Sequence, residues 1–463
     1  MDYRVKKYFD SIKGKRIAFF GIGRSNIPLA LMYKEKGAIV YACDMKEREA
    51  FADVADELEK AGVILRLGKN YLDDLDVDII FRAPGMYYLG EQIQSFRKKG
   101  IVVTSEIETF FDLCPCKIYA ITGTDGKTTT TTIVSDMLKR SGKTVHKGGN
   151  IGIPLLPIIE KISPDDVCVV ELSSFQLISM RKSGDVAAIT NIYPDHLNVH
   201  KDMAEYIDAK KNVFIHQNAY SRTVLNMDND ETNALSDLVR GTVYKFSRLS
   251  KPEKFGSFLD EDGYLCFTDG KTVEKIVHKD EIKIPGLHNV ENYLTAISIV
   301  HSDVENSHIA DTAREFGGVE HRIEFVRELN GVRYYNDSIA TSPASVTAGL
   351  NAFDKKMIVI AGGSDKKLDY NELAEQINAH IKTLILMGET ADKIESAVKN
   401  YKGYNENELE IIRVKDMNEA VNTAYSKAKD GDIVSLSPAS ASFDMYKDFE
   451  ARGLHYKQLV NSL

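Results

Sequence analysis

The chain has no apolar run approaching the ~20 residues that cross a bilayer, so a helical membrane span is excluded. Its opening, MDYRVKKYFDSIKGKR, lacks the apolar stretch of a secretory signal, and export is not expected. Cysteine is scarce, with five in 463 residues, an odd number scattered along the chain. Cys114-Pro-Cys116 is the one close pair, and the sequence offers no second pair to complete a metal site. All five are expected as reduced thiols in a cytoplasmic protein. A basic surplus is also missing. The net charge of −9 argues against nucleic acid as a partner, though not against a local anion site. The dipeptide Asn-Lys never occurs, which removes the base-reading motif of G proteins. The glycine-rich cover and His-Arg-Asp loop of protein kinases are absent too. Tryptophan is missing, and nothing follows from that.

What remains is a globular composition, 43% hydrophobic and 27% charged. A length of 463 residues is too much for one core, and two to four domains are expected. The most informative stretch is KIYAITGTDGKTTTTTIVSDML, Lys117 to Leu138. Tyr119, Ala120 and Ile121 predict a buried strand, and Thr128 to Leu138 a helix. Between them lies T-G-T-D-G-K-T. It departs from the common phosphate loop, whose first glycine would stand at Ile121. Gly123 and Gly126 permit the positive φ angles that turn backbone N–H groups toward one anion. The helix N-terminus favours negative charge. Lys127 is placed to reach the β/γ-phosphates and the Thr128 hydroxyl to bind Mg²⁺. The bland alternative is a Gly/Thr-rich turn capping an ordinary helix.

Three α/β segments surround and include this loop. In the first, the strand Ile17–Phe20 meets Gly21-x-Gly23, a helical stretch follows, and a second strand ends at Asp44. This is similar to a dinucleotide fingerprint, with Asp44 placed for ribose hydroxyls. Asn26 replaces the third glycine, so NAD and other nucleotides fit equally. DIIFRAPGMYYL is a later strand entering a turn at Pro84-Gly85. The central segment carries the strand Val167–Val170 directly before Glu171, where phosphate-loop enzymes hold Mg²⁺. Another strand runs into the polar cluster Asn191, Asp195, His196 and His200, followed by a helix bearing Lys210 and Lys211. Asn289 and Asn292 stand three apart on one helical face, amides suited to an adenine edge, with helix capping as the alternative for Asn289. The third segment has two strand–loop–helix units, KMIVIAGGSDKKLDY and GDIVSLSPASASFDMYKDFEARG.

Together these pieces resemble the Mur ligase family, ATP-dependent amide-forming ligases of cell-wall precursor synthesis. The resemblance covers nearly the whole chain and rests on TGTDGKTT, GGNIGIP, ELSSFQL, PDHL through YIDAKK, GLHNVEN, EHR, YYNDSIATSP and SPASASFDMYKDFEARG. ELSSFQL and the last motif look most like the branch that adds D-glutamate to UDP-N-acetylmuramoyl-L-alanine. The resemblance implies an α/β fold of three domains. These are a Rossmann-like domain for the UDP-substrate (1–105), a central phosphate-loop ATPase domain with a mainly parallel sheet (106–318), and a Rossmann-like C-terminal domain (319–463). The last would bind the amino acid and close over ATP. ATP would phosphorylate a carboxylate, and an amine would displace phosphate from the acyl phosphate.

The resemblance also distributes roles. Gly123, Thr124, Asp125, Gly126, Lys127, Thr128 and Thr129 would cradle ATP, with Asn289 and Asn292 on adenine and Arg322 and Asp337 completing the site. Thr128 and Glu171 would bind one Mg²⁺. His196 would bind a second together with Lys210 carbamylated by CO₂; on the residues alone, a solvated helix lysine is the simpler reading of Lys210. Lys127, His196 and Lys210 are thus the expected catalytic set. Arg24, Ser25, Asp44, Gly85 and Asn150 would line the UDP-substrate path. Thr341, Lys366, Ser442, Phe443 and Phe449 would hold the amino acid, with Ser442 expected near a helix start. The protein is expected to act on small molecules as a monomer, without nucleic acid or membrane insertion.

One departure stands out. The D-glutamate branch often reads N-D-S-K-A-T, and here Ile339 occupies the lysine position of NDSIAT. Lys366 or Lys367 would have to supply the missing charge, or the acceptor is held differently. The competing readings are a Mur-type ligase for another amino acid, a folylpolyglutamate synthetase-like enzyme, an NAD-dependent protein, and a non-catalytic nucleotide-binding regulator. About 120 residues precede Lys127, room for a domain that the folylpolyglutamate enzymes lack.

Overall fold

A computed structural model describes residues 2–463. Apolar strand runs with helices between them give three mainly parallel sheets, the pattern expected when both faces of a sheet are covered. In the first sheet the strand order is Ile64–Leu67, Ile39–Asp44, Arg16–Phe20, Ile79–Arg82, Val102–Thr104, all parallel. Strand order reverses beside Arg16–Phe20, which pairs with Ile39–Asp44 on one side and Ile79–Arg82 on the other. That switch opens a crevice at the strand ends, where open α/β sheets bind ligands. Gly21, at φ +88°, and the Ala83-Pro84-Gly85 turn flank it.

The second sheet has nine strands. Lys117–Thr122 is central, paired in parallel with Val167–Glu171 and Val186–Ile189. Val145–Gly149 lies beyond Val167–Glu171. On the other side follow Arg222–Asn226, Thr242–Ser247 and Phe255–Leu259, and an antiparallel hairpin, Tyr264–Asp269 with Val273–His278, closes that edge. The register sets Ile121 opposite Glu171 and Thr122 opposite Ile189. Three chain segments therefore leave the sheet side by side, at Gly123, Leu172 and Thr190.

The third sheet has six strands, ordered Glu324–Leu329, Val332–Asn336, Ile433–Leu436, Met357–Ala361, Ile381–Leu386, Glu410–Arg413. Only its first pair is antiparallel. Apolar clusters cover both faces, one around Leu350, Leu373 and Ile394, the other around Ile358, Val421 and Tyr456.

By packing, the chain forms two compact units: residues to Lys279 with Glu291–Thr312, and Asp280–Val290 with Ala313–Leu463. The first two sheets share the first unit. One apolar core runs through it from Phe19, Tyr33 and Phe81, past Phe110 and Phe111, to Leu155 and Ile189. Among the described residues, no helix is long and apolar enough to cross a membrane.

Candidate active site

The glycine loop follows its strand as predicted. Gly123 has φ +153° and Gly126 φ +77°. Neither tolerates a side chain, since a Cβ on Gly123 would stand 1.8 Å from Thr190 Oγ1 and one on Gly126 2.3 Å from Asn292 Oδ1. The loop is clamped from the next strand end. Asn191 Oδ1 accepts from the backbone N–H groups of Asp125 at 2.8 Å and Thr124 at 3.2 Å, and Thr190 Oγ1 donates to Asp125 O at 2.6 Å. Thr124 Oγ1 lies 3.1 Å from the Tyr206 hydroxyl. The helix Lys127–Arg140 begins with no side-chain cap, and a helix N-terminus favours an anion. Lys127 Nζ donates to Thr124 O at 2.7 Å, folded over the loop it serves. Asn292 Oδ1 accepts from Thr130 Oγ1 at 3.2 Å, so that amide packs against the loop and helix.

Glu171 ends its strand 1% exposed. Asn150 Nδ2 donates to its Oε1 at 2.8 Å, whereas Oε2 is buried without a hydrogen-bond partner. A buried carboxylate oxygen with no donor is costly to leave, and a hard cation is the group that would satisfy it. Gly149, at φ +99°, lets Asn150 approach, with Asn150 N donating to Glu171 O at 2.8 Å.

Lys210 lies on the helix Met203–Lys211, 1% exposed. Its Nζ donates to Gly123 O at 2.5 Å and sits 4.6 Å from the Tyr206 ring centroid. Burial, with the Lys127 charge nearby, brings its pKa down to about 7. Lys211 points elsewhere and pairs with Asp208. His196 has φ +55° and an exposed ring, 3.4 Å from Asp195 Oδ2 and 5.0 Å from the Phe175 ring centroid. His200, its neighbour in sequence, is buried; it bonds Ser174 Oγ and Glu205 Oε1, both at 2.9 Å.

In the first sheet, Asp44 Oδ2 accepts from Ile22 N at 2.9 Å and Oδ1 from Lys46 N at 3.0 Å. The carboxylate thus shapes the Gly21–Gly23 turn. Asn26 Nδ2 bridges the carbonyls of Phe20 and Gly21, each at 3.0 Å, which explains an asparagine in place of the third glycine. Arg24 and Gly85 are exposed and Ser25 is half-buried. Ser25, Asn26, Arg82, Pro84, Ser105 and Gln176 line one cleft there.

In the second unit, Asn289 Nδ2 donates to Pro285 O at 2.5 Å. Arg322 is exposed between His321 at φ +65° and Ile323 at φ +42°. A β-branched residue in that region is strained. Ile323 is held there by its N–H, which donates to Asp337 Oδ1 at 3.2 Å. Burial pushes the Asp337 carboxyl up to about 7. Thr341 is half-buried, Lys366 exposed, and Phe443 69% exposed. Ser442 is buried, but it opens a turn and no helix: its carbonyl accepts from Met445 N and Tyr446 N at 3.1 and 2.7 Å. The helix starts at Phe449, because Asp448 is the capping residue and accepts from Ala451 N. The expected helix terminus at Ser442 is therefore corrected.

Comparison with known proteins places this geometry. The Mur ligase middle domain matches residues 121–300, and the Mur ligase glutamate ligase domain residues 321–440. A UDP-N-acetylmuramoylalanine–D-glutamate ligase of Acetivibrio thermocellus is 47% identical over 466 aligned residues, covering 100% of both chains. The chain belongs to the Mur ligase family. Among solved structures, a UDP-N-acetylmuramate-alanine ligase from Thermotoga maritima aligns with TM-score 0.56 at 19% identity, over 97% of this chain and 99% of that one. An Escherichia coli FolC structure aligns with TM-score 0.54 at 14% identity, covering 77% of this chain and 92% of its own. Both show the shared fold.

Several residues of this Mur ligase escaped sequence reasoning. Arg82 is 1% exposed and donates to Phe175 O at 2.9 Å and Ser179 Oγ at 2.6 Å, tying the first sheet to the ELSSFQL segment. Tyr87 shares its hydroxyl proton between the two Glu205 oxygens, each at 2.7 Å, and Glu205 in turn meets His200. Arg452 binds the carbonyls of Ser338, Ser440 and Ala441, fastening NDSIAT to SPASAS. The available signal was a cation ending an apolar strand, in DIIFR, or following an N-cap, in DFEAR. Cys168 was missed as well. Its sulfur stands 3.5 Å from Cys116 and 3.8 Å from Cys114, so that pair does acquire a partner.

Proposed function

We propose that this Mur ligase adds D-glutamate to UDP-N-acetylmuramoyl-L-alanine, using ATP and passing through an acyl phosphate. The observation that carries the reading is the partnerless, buried Glu171 Oε2, one strand from a glycine loop whose helix N-terminus is uncapped. Full-length likeness to ligases named for this substrate pair supports the choice of substrate.

Thr128 and Glu171 fit one Mg²⁺, a hard cation for hydroxyl and carboxylate oxygens. Bound there, it would supply charge neutralisation for two anions that must meet. The chain's own groups supply the rest. Loop N–H groups and Lys127 orient the triphosphate so that its γ-phosphoryl moves to the UDP-substrate carboxylate and ADP leaves. Phosphate then serves as the leaving group when the amine attacks the acyl carbon, and the nitrogen's extra proton passes to solvent. We assign Lys210 as a carbamate, which with His196 would take a second Mg²⁺; its neutral amine near pH 7 supports this. Asn289, Asn292, Arg322 and Asp337 are assigned to ATP, with Gly123, Thr124, Asp125, Gly126 and Thr129. Arg24, Ser25, Asp44, Gly85 and Asn150 are assigned to the UDP-substrate. Thr341, Lys366, Ser442, Phe443 and Phe449 are assigned to D-glutamate. The proposed domains are 1–105, 106–318 and 319–463, in a monomer working where ATP and UDP-sugars are made, in the cytoplasm.

Ile339 favours one second reading, a different acceptor amino acid. Phosphate release with UDP-N-acetylmuramoyl-L-alanine and single amino acids decides between them. Release with D-glutamate, and with neither L-glutamate nor a diamino acid, is expected. Faster release with another amino acid overturns the D-glutamate assignment.

A further inference from the structure

Away from the nucleotide loop, three thiols meet inside the first unit. Cys114 caps the end of the helix Glu106–Leu113, Cys116 immediately precedes the strand Lys117–Thr122, and Cys168 lies on the neighbouring strand opposite Ile118. Their sulfurs form a near-equilateral triangle with sides of 3.7, 3.8 and 3.5 Å. Cys168 is fully buried, and Cys114 and Cys116 are 6% and 8% exposed. Close packing of small apolar thiols would explain any two of these contacts. It does not require three sulfurs from two separate segments to converge.

We propose that Cys114, Cys116 and Cys168 form a trigonal thiolate site for one Cu(I) ion. The centre of the triangle lies about 2.1 Å from each sulfur, close to the ~2.3 Å of metal–thiolate bonds. Thiolate sulfur selects soft cations. Among the described residues, no fourth His, Cys, Asp or Glu donor joins the set, which disfavours four-coordinate zinc and suits a three-coordinate d¹⁰ ion. Lys182 lies beside the site, its Nζ donating to Phe111 O at 2.5 Å on the helix that Cys114 closes. Each ligating thiol releases its proton to solvent as the ion enters. A bound ion would fasten the incoming chain to the strand that ends at Glu171, from the end remote from the glycine loop.

Anaerobic titration of the full chain with Cu(I), against a chromogenic Cu(I) chelator, tests the site. Wild type is expected to retain one equivalent, with X-ray absorption showing three sulfur neighbours and no nitrogen or oxygen. Cys168→Ser and Cys114→Ser are each expected to lose that equivalent while keeping the copper-free, Mg²⁺-supported ligation rate, which also reports their folding. Wild type that holds no more Cu(I) than Cys168→Ser overturns the proposal. So does an absorption spectrum with fewer than three sulfurs or with light-atom ligands, a result read on wild type alone and independent of how the variants fold.

Discussion

Replacing Lys210 by methionine keeps an unbranched side chain, one heavy atom shorter, and removes the amine. Buried against Gly123 O and the Tyr206 ring, that amine has its pKa brought from 10.5 to about 7 by desolvation and by Lys127. At pH 7 about half of the folded chains therefore hold it neutral, against roughly one in 3,000 for an unshifted lysine. The population able to attack CO₂ rises about a thousandfold, which is what makes a carbamate accessible at neutral pH. The same shift is a stability statement. Between about pH 7 and about pH 10.5 the unfolded chain binds this proton and the folded chain does not, so stability rises with pH across that window. The full span is about 4–5 kcal/mol. Denaturant unfolding of the CO₂-free protein at pH steps across the window should show that rise in wild type and not in Lys210→Met. With ¹³C-labelled bicarbonate, wild type should gain a carbamate carbon signal that Lys210→Met lacks. Parallel pH–stability curves, together with no carbamate signal in either protein, would refute the reasoning.

Glu171→Gln should lower kcat by roughly 10²–10³-fold, yet leave the metal-free melting temperature unchanged or higher, because Oε2 has no partner to lose; calorimetry with and without Mg²⁺-ADP should show the ligand-induced shift vanish. Gly126→Ala must fit a Cβ 2.3 Å from Asn292 Oδ1 at φ +77°, and should cost about 1–3 kcal/mol in unfolding experiments and weaken ATP binding with it. Asp337, held near pKa 7 by burial, keeps its proton in the fold while the unfolded chain loses it above about pH 4. Wild-type stability should thus fall between about pH 4 and about pH 7, by up to about 4 kcal/mol, and Asp337→Asn should abolish that fall.

Much of the fold was legible because its strands are continuous apolar runs bounded by glycine, the mark of a parallel sheet covered on both faces. IAFF before Gly21, YAI before the loop and VCVV before Glu171 all form strands where the pattern places them. The polar residues at their ends were legible for the same reason: a strand buried on both faces puts its first polar side chain where ligands bind. What escaped were groups whose partners are backbone carbonyls brought from afar. Arg82 reads in sequence as an ordinary charged residue, and only the fold shows its guanidinium meeting Phe175 O, 93 residues on.

The error at Ser442 has a related cause. SPASASFD offers serines that compete for backbone hydrogen bonds, and competition of that kind favours turns as readily as helix starts. Composition could not choose between them. The decision falls to Asp448, whose carboxylate accepts from Ala451 N and fixes Phe449 as the first helical residue. Ser442 is then left in the turn that Arg452 pins through the carbonyls of Ser440 and Ala441. A buried guanidinium bonded to carbonyls and a hydroxyl holds its loop rigid without presenting its charge to the surface. If Ser442 meets the acceptor amino acid, its position is set from below by Arg452 and its recognition comes from its own hydroxyl, not from a helix terminus. The signal to read was therefore the Asp448-to-Arg452 spacing, one helical turn, ahead of the serine run itself.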